Sequence, residues 1–197
     1  MGEAGLAAAG QLPLAIALGV MALLGLAGAG TWWYLRRRRS RSIPARLQRA
    51  SDALLSAVLL PHVEGGYIHV EHILLTRQGL IVLELRDITG HVFGSEAMQE
   101  WTVLDHSRRS TFANPLPALY DRMAAVRRLV PEVPVRALVA FTSGACFSKG
   151  FPPNVVMLDG LLAELGGMAA DAADGVPAEL LASAWSRLSG AAVSASR

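Results

Sequence analysis

Glu71, Glu84 and Arg86 are the residues whose types and spacing can do chemistry. They stand in Val70-Glu71-His72 and Val82-Leu83-Glu84-Leu85-Arg86, inside apolar runs that otherwise read as buried β-strands. Arg77-Gln78-Gly79 between the runs is a turn signal. With a period of two, Glu84 and Arg86 share one strand face, while Ile81, Leu83 and Leu85 take the other. A hairpin centred between Arg77 and Gln78 sets Glu71 opposite Glu84, with Cβ atoms about 4.5–5.5 Å apart. A bulge at Gly79 would shift that register by one residue. Two carboxylates that close in a poorly solvated place need a shared proton, a cation or a basic partner. Mg²⁺ is one solution, since it takes hard oxygen ligands at about 2.1 Å. Arg86 is another, because its permanently charged fork can clamp either acid. The bland alternative is an edge hairpin whose charges face water.

The elements that must position these residues can be read on either side. Ala45–Leu59 carries Leu47, Leu54, Leu55 and Val58 at near-helical spacing, which predicts an amphipathic helix. The hairpin follows, with strands Tyr67–Thr76 and Leu80–Arg86. Short strands are expected at Val92-Phe93 and Trp101–Leu104. Asn114-Pro115 then opens a helix with Leu116, Leu119, Tyr120, Met123, Val126 and Val130 on one face. Val135–Phe141 predicts a central strand and Asn154–Leu158 a shorter one. Asp159 caps a helix that should stop at Gly166-Gly167. Pro177 opens a last helix, with loose residues after it. The order predicts a mixed α/β domain with helices on the faces of one sheet.

Ahead of the domain, Leu12–Tyr34 is uncharged and rich in Ala, Leu and Gly, and as a helix it would extend about 34 Å. Trp32, Trp33 and Tyr34 form an aromatic belt, followed at once by Arg36, Arg37, Arg38, Arg39 and Arg41. We expect residues 1–11 to be a short N-terminal segment, 12–35 a retained single membrane span and 36–49 a basic juxtamembrane linker. A domain over 50–166 and an Ala/Ser-rich helical tail over 167–197 complete the division. The arginines place the domain in the cytoplasm and the N-terminus outside. Residues 1–49 carry a net charge of +6 and the remainder −4, so the basicity suits anionic lipid headgroups better than an extensive nucleic-acid face. Ala15 and Gly19 hint at pairing of spans into a homo-oligomer. Cys146, the only cysteine, rules out an intramolecular disulfide and suits a reducing compartment; it is expected to be buried and inert.

His69 and His72 flank Glu71 and can ligate a metal, although a structural role is the commoner fate of such residues. The order of Val70-Glu71-His72, Gly79, Glu84-Leu85-Arg86, Gly90, Gly94, Trp101, Phe112-Ala113-Asn114-Pro115-Leu116 and Val139-Ala140-Phe141 resembles the nuclease-related domain family, NERD. That family lies within the PD-(D/E)XK restriction-endonuclease-like superfamily, and the resemblance covers roughly Ala50 to Gly166. It implies a restriction-endonuclease-like mixed sheet flanked by helices and metal-dependent phosphodiester cleavage. Glu71 and Glu84 would hold Mg²⁺, with the Leu85 carbonyl as third ligand, and the third motif side chain, here Arg86, would position water. Asp52 is a candidate accessory acid.

The chain departs from the pattern where Asp becomes Glu71 and Lys becomes Arg86. The first shifts the carboxylate oxygens by about an ångström, and such misplacement can cost about 10²-fold in rate. The second removes any base near neutral pH. Both favour a salt-bridged site with weak or no cleavage, in a membrane-anchored domain that binds nucleic acid or a protein partner. The alternatives are an active Mg²⁺-dependent nuclease processing DNA or RNA near the membrane, and a structural module of a membrane complex.

Overall fold

The computed structural model describes residues 43–63, 65–168 and 175–194. The expected membrane span lies outside these residues; among the described ones, no helix is long and apolar enough to cross a membrane. The chain divides into two units at Ala45 and Arg46, and the account below concerns the second.

Helix α1 covers residues 43–50, and strand β1 (Ala53–Pro61) follows. The predicted helix Ala45–Leu59 is therefore a helix only in its first half. Leu54, Leu55 and Val58 satisfy a helical pattern locally. They are drawn into a strand because β1 pairs antiparallel with β2 (Tyr67–Thr76) over nearly its whole length. Tertiary pairing overrides a short, ambiguous apolar run.

The hairpin of β2 and β3 (Gly79–Arg86) forms in the expected register, with Thr76 opposite Gly79 and His72 opposite Leu83. No bulge displaces it. Gly79 has φ 129°, and a side chain there would run into the Pro134 carbonyl, so only glycine fits this turn. After β3 come β4 (Gly90–Phe93), β5 (Glu100–Asp105), β6 (Arg108–Ala113) and α2 (Leu116–Leu129). Then follow β7 (Val135–Phe141), β8 (Ala145–Cys146), β9 (Val155–Met157), α3 (Leu158–Met168), α4 (Ala178–Ala191) and β10 (Val193–Ser194). Helix α3 runs through Gly166-Gly167 rather than stopping there. Val193-Ser194, expected to be loose, pairs with β1.

The domain has two sheets where one was expected. The larger has the order β10-β1-β2-β3-β7-β9, and the smaller β6-β5-β4-β8. Strand β7 is interior, as its apolar run from Ala137 to Phe141 requires, and pairs in parallel with β3 and β9. One face of the larger sheet packs Ile73, Val82, Val139 and Phe141 against Leu119 and Val126 of α2 and Leu181, Ala184 and Leu188 of α4. The alternate residues Leu74, Leu83, Leu138 and Ala140 are also buried, as are Leu47 of α1 and Leu161 and Leu165 of α3. Both faces are therefore covered, which gives a mixed α/β fold. The smaller sheet joins this core through Trp101, which stacks on Phe141 at 6.3 Å and meets the edge of Phe112 at 5.9 Å.

Candidate functional site

A kink prepares the site. The pairing of β1 with β2 passes from Ser56–His72 to Val58–Val70, and Ala57 between them has φ 51°. On either side the inward residues are three apart, Leu55 then Val58 on β1 and Ile73 then Val70 on β2. The inward face thus changes at Ala57 and Glu71. A left-handed alanine costs about 1–2 kcal/mol, and such strain is commonest near functional sites.

Beyond the kink the ladder between β2 and β3 ends. Its last pair is His72 and Leu83, so Glu71 and Glu84 occupy the next step. There Glu71 Oε2 accepts the Leu85 N–H at 2.8 Å, replacing the ladder bond that β2 no longer supplies. The third ligand implied for a metal was the Leu85 carbonyl; it is the N–H of that residue that engages the acid. Burial pushes the Glu71 carboxyl above its usual range. The Leu85 hydrogen bond opposes that shift, the Glu84 charge adds to it, and the Arg86 and His69 charges lower it again.

Glu84 is almost fully buried, with 7% of its side chain exposed, and guanidinium groups meet both of its oxygens. Arg86, two residues along the same strand face, pairs with Oε1. Arg122 reaches from α2 and donates from Nη1 to Oε2 at 2.7 Å, while its Nε donates to the His69 carbonyl at 2.8 Å. Helix α2 is itself held at its start by Asn114. The Oδ1 of Asn114 accepts the Leu116 N–H at 3.0 Å, and its Nδ2 donates to the carbonyls of Glu96 and Met98. The Asn-Pro-Leu segment therefore fixes the helix that carries Arg122.

The three sequence-predicted residues converge, and Arg122 is the participant that was missed. Its only local mark in the sequence is its place on the helix. Arg122 stands three residues after Leu119 and four before Val126, on the flank of a helix face otherwise committed to the core. Of the other candidates, His69 lends its backbone carbonyl to Arg122 beside the cluster, and the rest lie elsewhere. His72 is buried on the opposite sheet face, with Nδ1 2.9 Å from Ser56 Oγ, and burial lowers its pKa to about 4. Asp52 sits at the far end of β1, its N–H on the Leu75 carbonyl near the hairpin turn. Cys146 is exposed, because β8 lies at the edge of the smaller sheet.

The arrangement is that of a restrained ion cluster, not an open ligand set. A cation at Glu84 would have to displace Arg86 or Arg122, and Glu71 has one oxygen already engaged. Among the described residues, no three His, Cys, Asp or Glu side chains converge to hold a metal. As placed, these side chains do not fit a resident divalent ion.

The family model of the nuclease-related domain matches residues 35–142. The chain belongs to the nuclease-related domain family. The match takes in the basic segment before α1 and ends just past β7, so β8, β9, α3, α4 and β10 lie beyond it. An uncharacterized protein of Bacillus anthracis is 28% identical over 98 residues, which is 49% of this chain and 46% of that relative. The match thus spans about half the length of the relative. No solved structure matches the chain.

Proposed function

We propose that this nuclease-related domain is a nucleic-acid-binding module whose hydrolytic site is held shut, with weak or no phosphodiesterase activity. The observation that carries this reading is the pairing of both Glu84 oxygens with guanidinium groups, Arg86 on one and Arg122 on the other. Metal-assisted hydrolysis needs a cation with open positions to activate water and to neutralise the phosphate. Guanidinium neutralises charge but binds no water for deprotonation, and it cannot serve as a base near neutral pH.

Binding finds support just after β3. Ile88 and Thr89, just after Arg86, join Val103, Phe112, Arg108 and Asp105 around an open hollow of about 530 Å³. Apolar, arginine and hydroxyl side chains together, with one acid among them, suit a short stretch of nucleic acid through stacking and phosphate contact. The mildly acidic remainder of the domain argues against a longer track. In this reading residues 12–35 tether the domain at the cytoplasmic face of a membrane, and Arg36 to Arg41 meet anionic headgroups.

The test uses the full-length chain with labelled single- and double-stranded DNA and RNA in Mg²⁺ or Mn²⁺. Salt-sensitive binding without strand scission is expected. Robust cleavage abolished by Glu84→Ala would overturn the closed site. Absence of binding to every substrate would remove the nucleic-acid partner and leave a structural module.

A further inference from the structure

Arg122 comes to the ion cluster from a different element than the motif residues, and it stands where a cation would serve Glu84. We infer that Arg122 is a built-in counter-cation that bars divalent metal from the carboxylates, so that α2, rather than the Glu84-Leu85-Arg86 motif, decides whether this cluster takes metal. This deepens the closed-site reading above and rests on it.

The two arginines are not equivalent. Arg86 contacts Glu84 from two residues along the same strand, with 38% of its side chain exposed, and its buried Nε has no hydrogen-bond partner. Swinging it outward breaks one local ion pair and leaves Oε1 free. Arg122 is 24% exposed and anchored on two strands at once, through Glu84 Oε2 on β3 and the His69 carbonyl on β2. An incoming ion must break both bonds to displace it, at a carboxylate that is itself almost wholly buried.

Removing Arg122 would release a specific donor set. Glu84 Oε2 and the His69 carbonyl oxygen lose their partner together. Glu71, close enough to feel the Glu84 charge, keeps Oε1 available because Leu85 engages only Oε2. Three hard oxygens from two adjacent strands are the ligand type that Mg²⁺ and Mn²⁺ take.

The test is calorimetric titration of the full-length chain with Mn²⁺ and Mg²⁺, comparing the parent with R122M, R122Q, R122K, R86M and R122M/E84Q. R122M and R122Q should bind Mn²⁺ roughly tenfold or more tightly than the parent, since a competing charge has left a buried carboxylate. R122K, which keeps the charge, and R86M should stay at the parent level, and E84Q should erase the gain. Three results would overturn the inference: a parent that binds as tightly as R122M, folded R122 variants that gain nothing, or R86M gaining as much. R122Q retains an amide donor for the His69 carbonyl and carries the test if R122M does not fold. If neither folds, Arg122 is a fold-bearing contact and the gating role is lost. Cleavage by the parent would refute the closed site itself; a silent parent with metal-indifferent R122Q refutes only the role of Arg122.

Discussion

Arg122 Nη1 lies 2.7 Å from Glu84 Oε2, a bond between helix α2 and strand β3. The same guanidinium holds the His69 carbonyl, so it ties β2 to β3 just where their own ladder ends. One side chain thereby joins helix, strand and acid. Replacing Arg122 by Ala should destabilise the domain by about 2–3 kcal/mol, since Glu84 keeps Arg86 but loses half of its compensation. Chemical denaturation measures this, and adding Glu84→Gln to Arg122→Ala should recover part of the loss. Full additivity of the two changes would show that the pair is not coupled.

His72 makes stability depend on pH. Its imidazole titrates near 6.5 when solvated but is lowered to about 4 in the fold by burial, with the His69 charge as a smaller cause. Between those values the unfolded chain binds more protons, so stability rises with pH across this window and falls as pH drops from 6.5 to 4. The full effect is about 3 kcal/mol. His72→Gln should flatten that part of the stability profile; an unchanged slope would remove His72 as its source.

Glu71 acts in the opposite direction. Its carboxyl is raised above 4.5 by burial first, so the fold favours the protonated form. The resulting penalty is absent at pH below about 4.5 and grows as pH rises through the folded value. Glu71→Gln still offers an oxygen to the Leu85 N–H and should therefore raise the melting temperature at pH 7 but not at pH 4. A lower melting temperature at pH 7 would mean that the Glu71 charge is itself stabilising.

The left-handed Ala57 offers a further check. Ala57→Gly relieves its backbone strain and should stabilise the domain by about 0.5–1 kcal/mol, the usual gain where φ is positive. Loss of stability would show that the kink is held for another reason.

Much of the ion cluster was legible because it lies on a local hairpin. Arg77-Gln78-Gly79 and the alternation around Glu84 fix the register that brings Glu71 and Glu84 to one end of the ladder. Arg122 was not legible as a site residue, since its partner is 38 positions away and no local pattern links them. Strand β6 escaped for a different reason: as an edge strand, its Arg108-Arg109-Ser110-Thr111 run is exposed on both faces and shows no apolar alternation. Ala53–Pro61 misled because its leucines fit two periods, and only pairing with β2 chooses between them. The motif order spans Ala50 to Gly166, whereas the family match runs over residues 35–142.

Crystals of the full-length chain soaked in Mn²⁺ and examined by anomalous scattering test the closed site most directly. We predict no anomalous peak between Glu71 and Glu84, with the Arg122 guanidinium in place on Glu84 and the His69 carbonyl. A strong peak bridging the two carboxylates, with Arg122 turned away, would contradict the account.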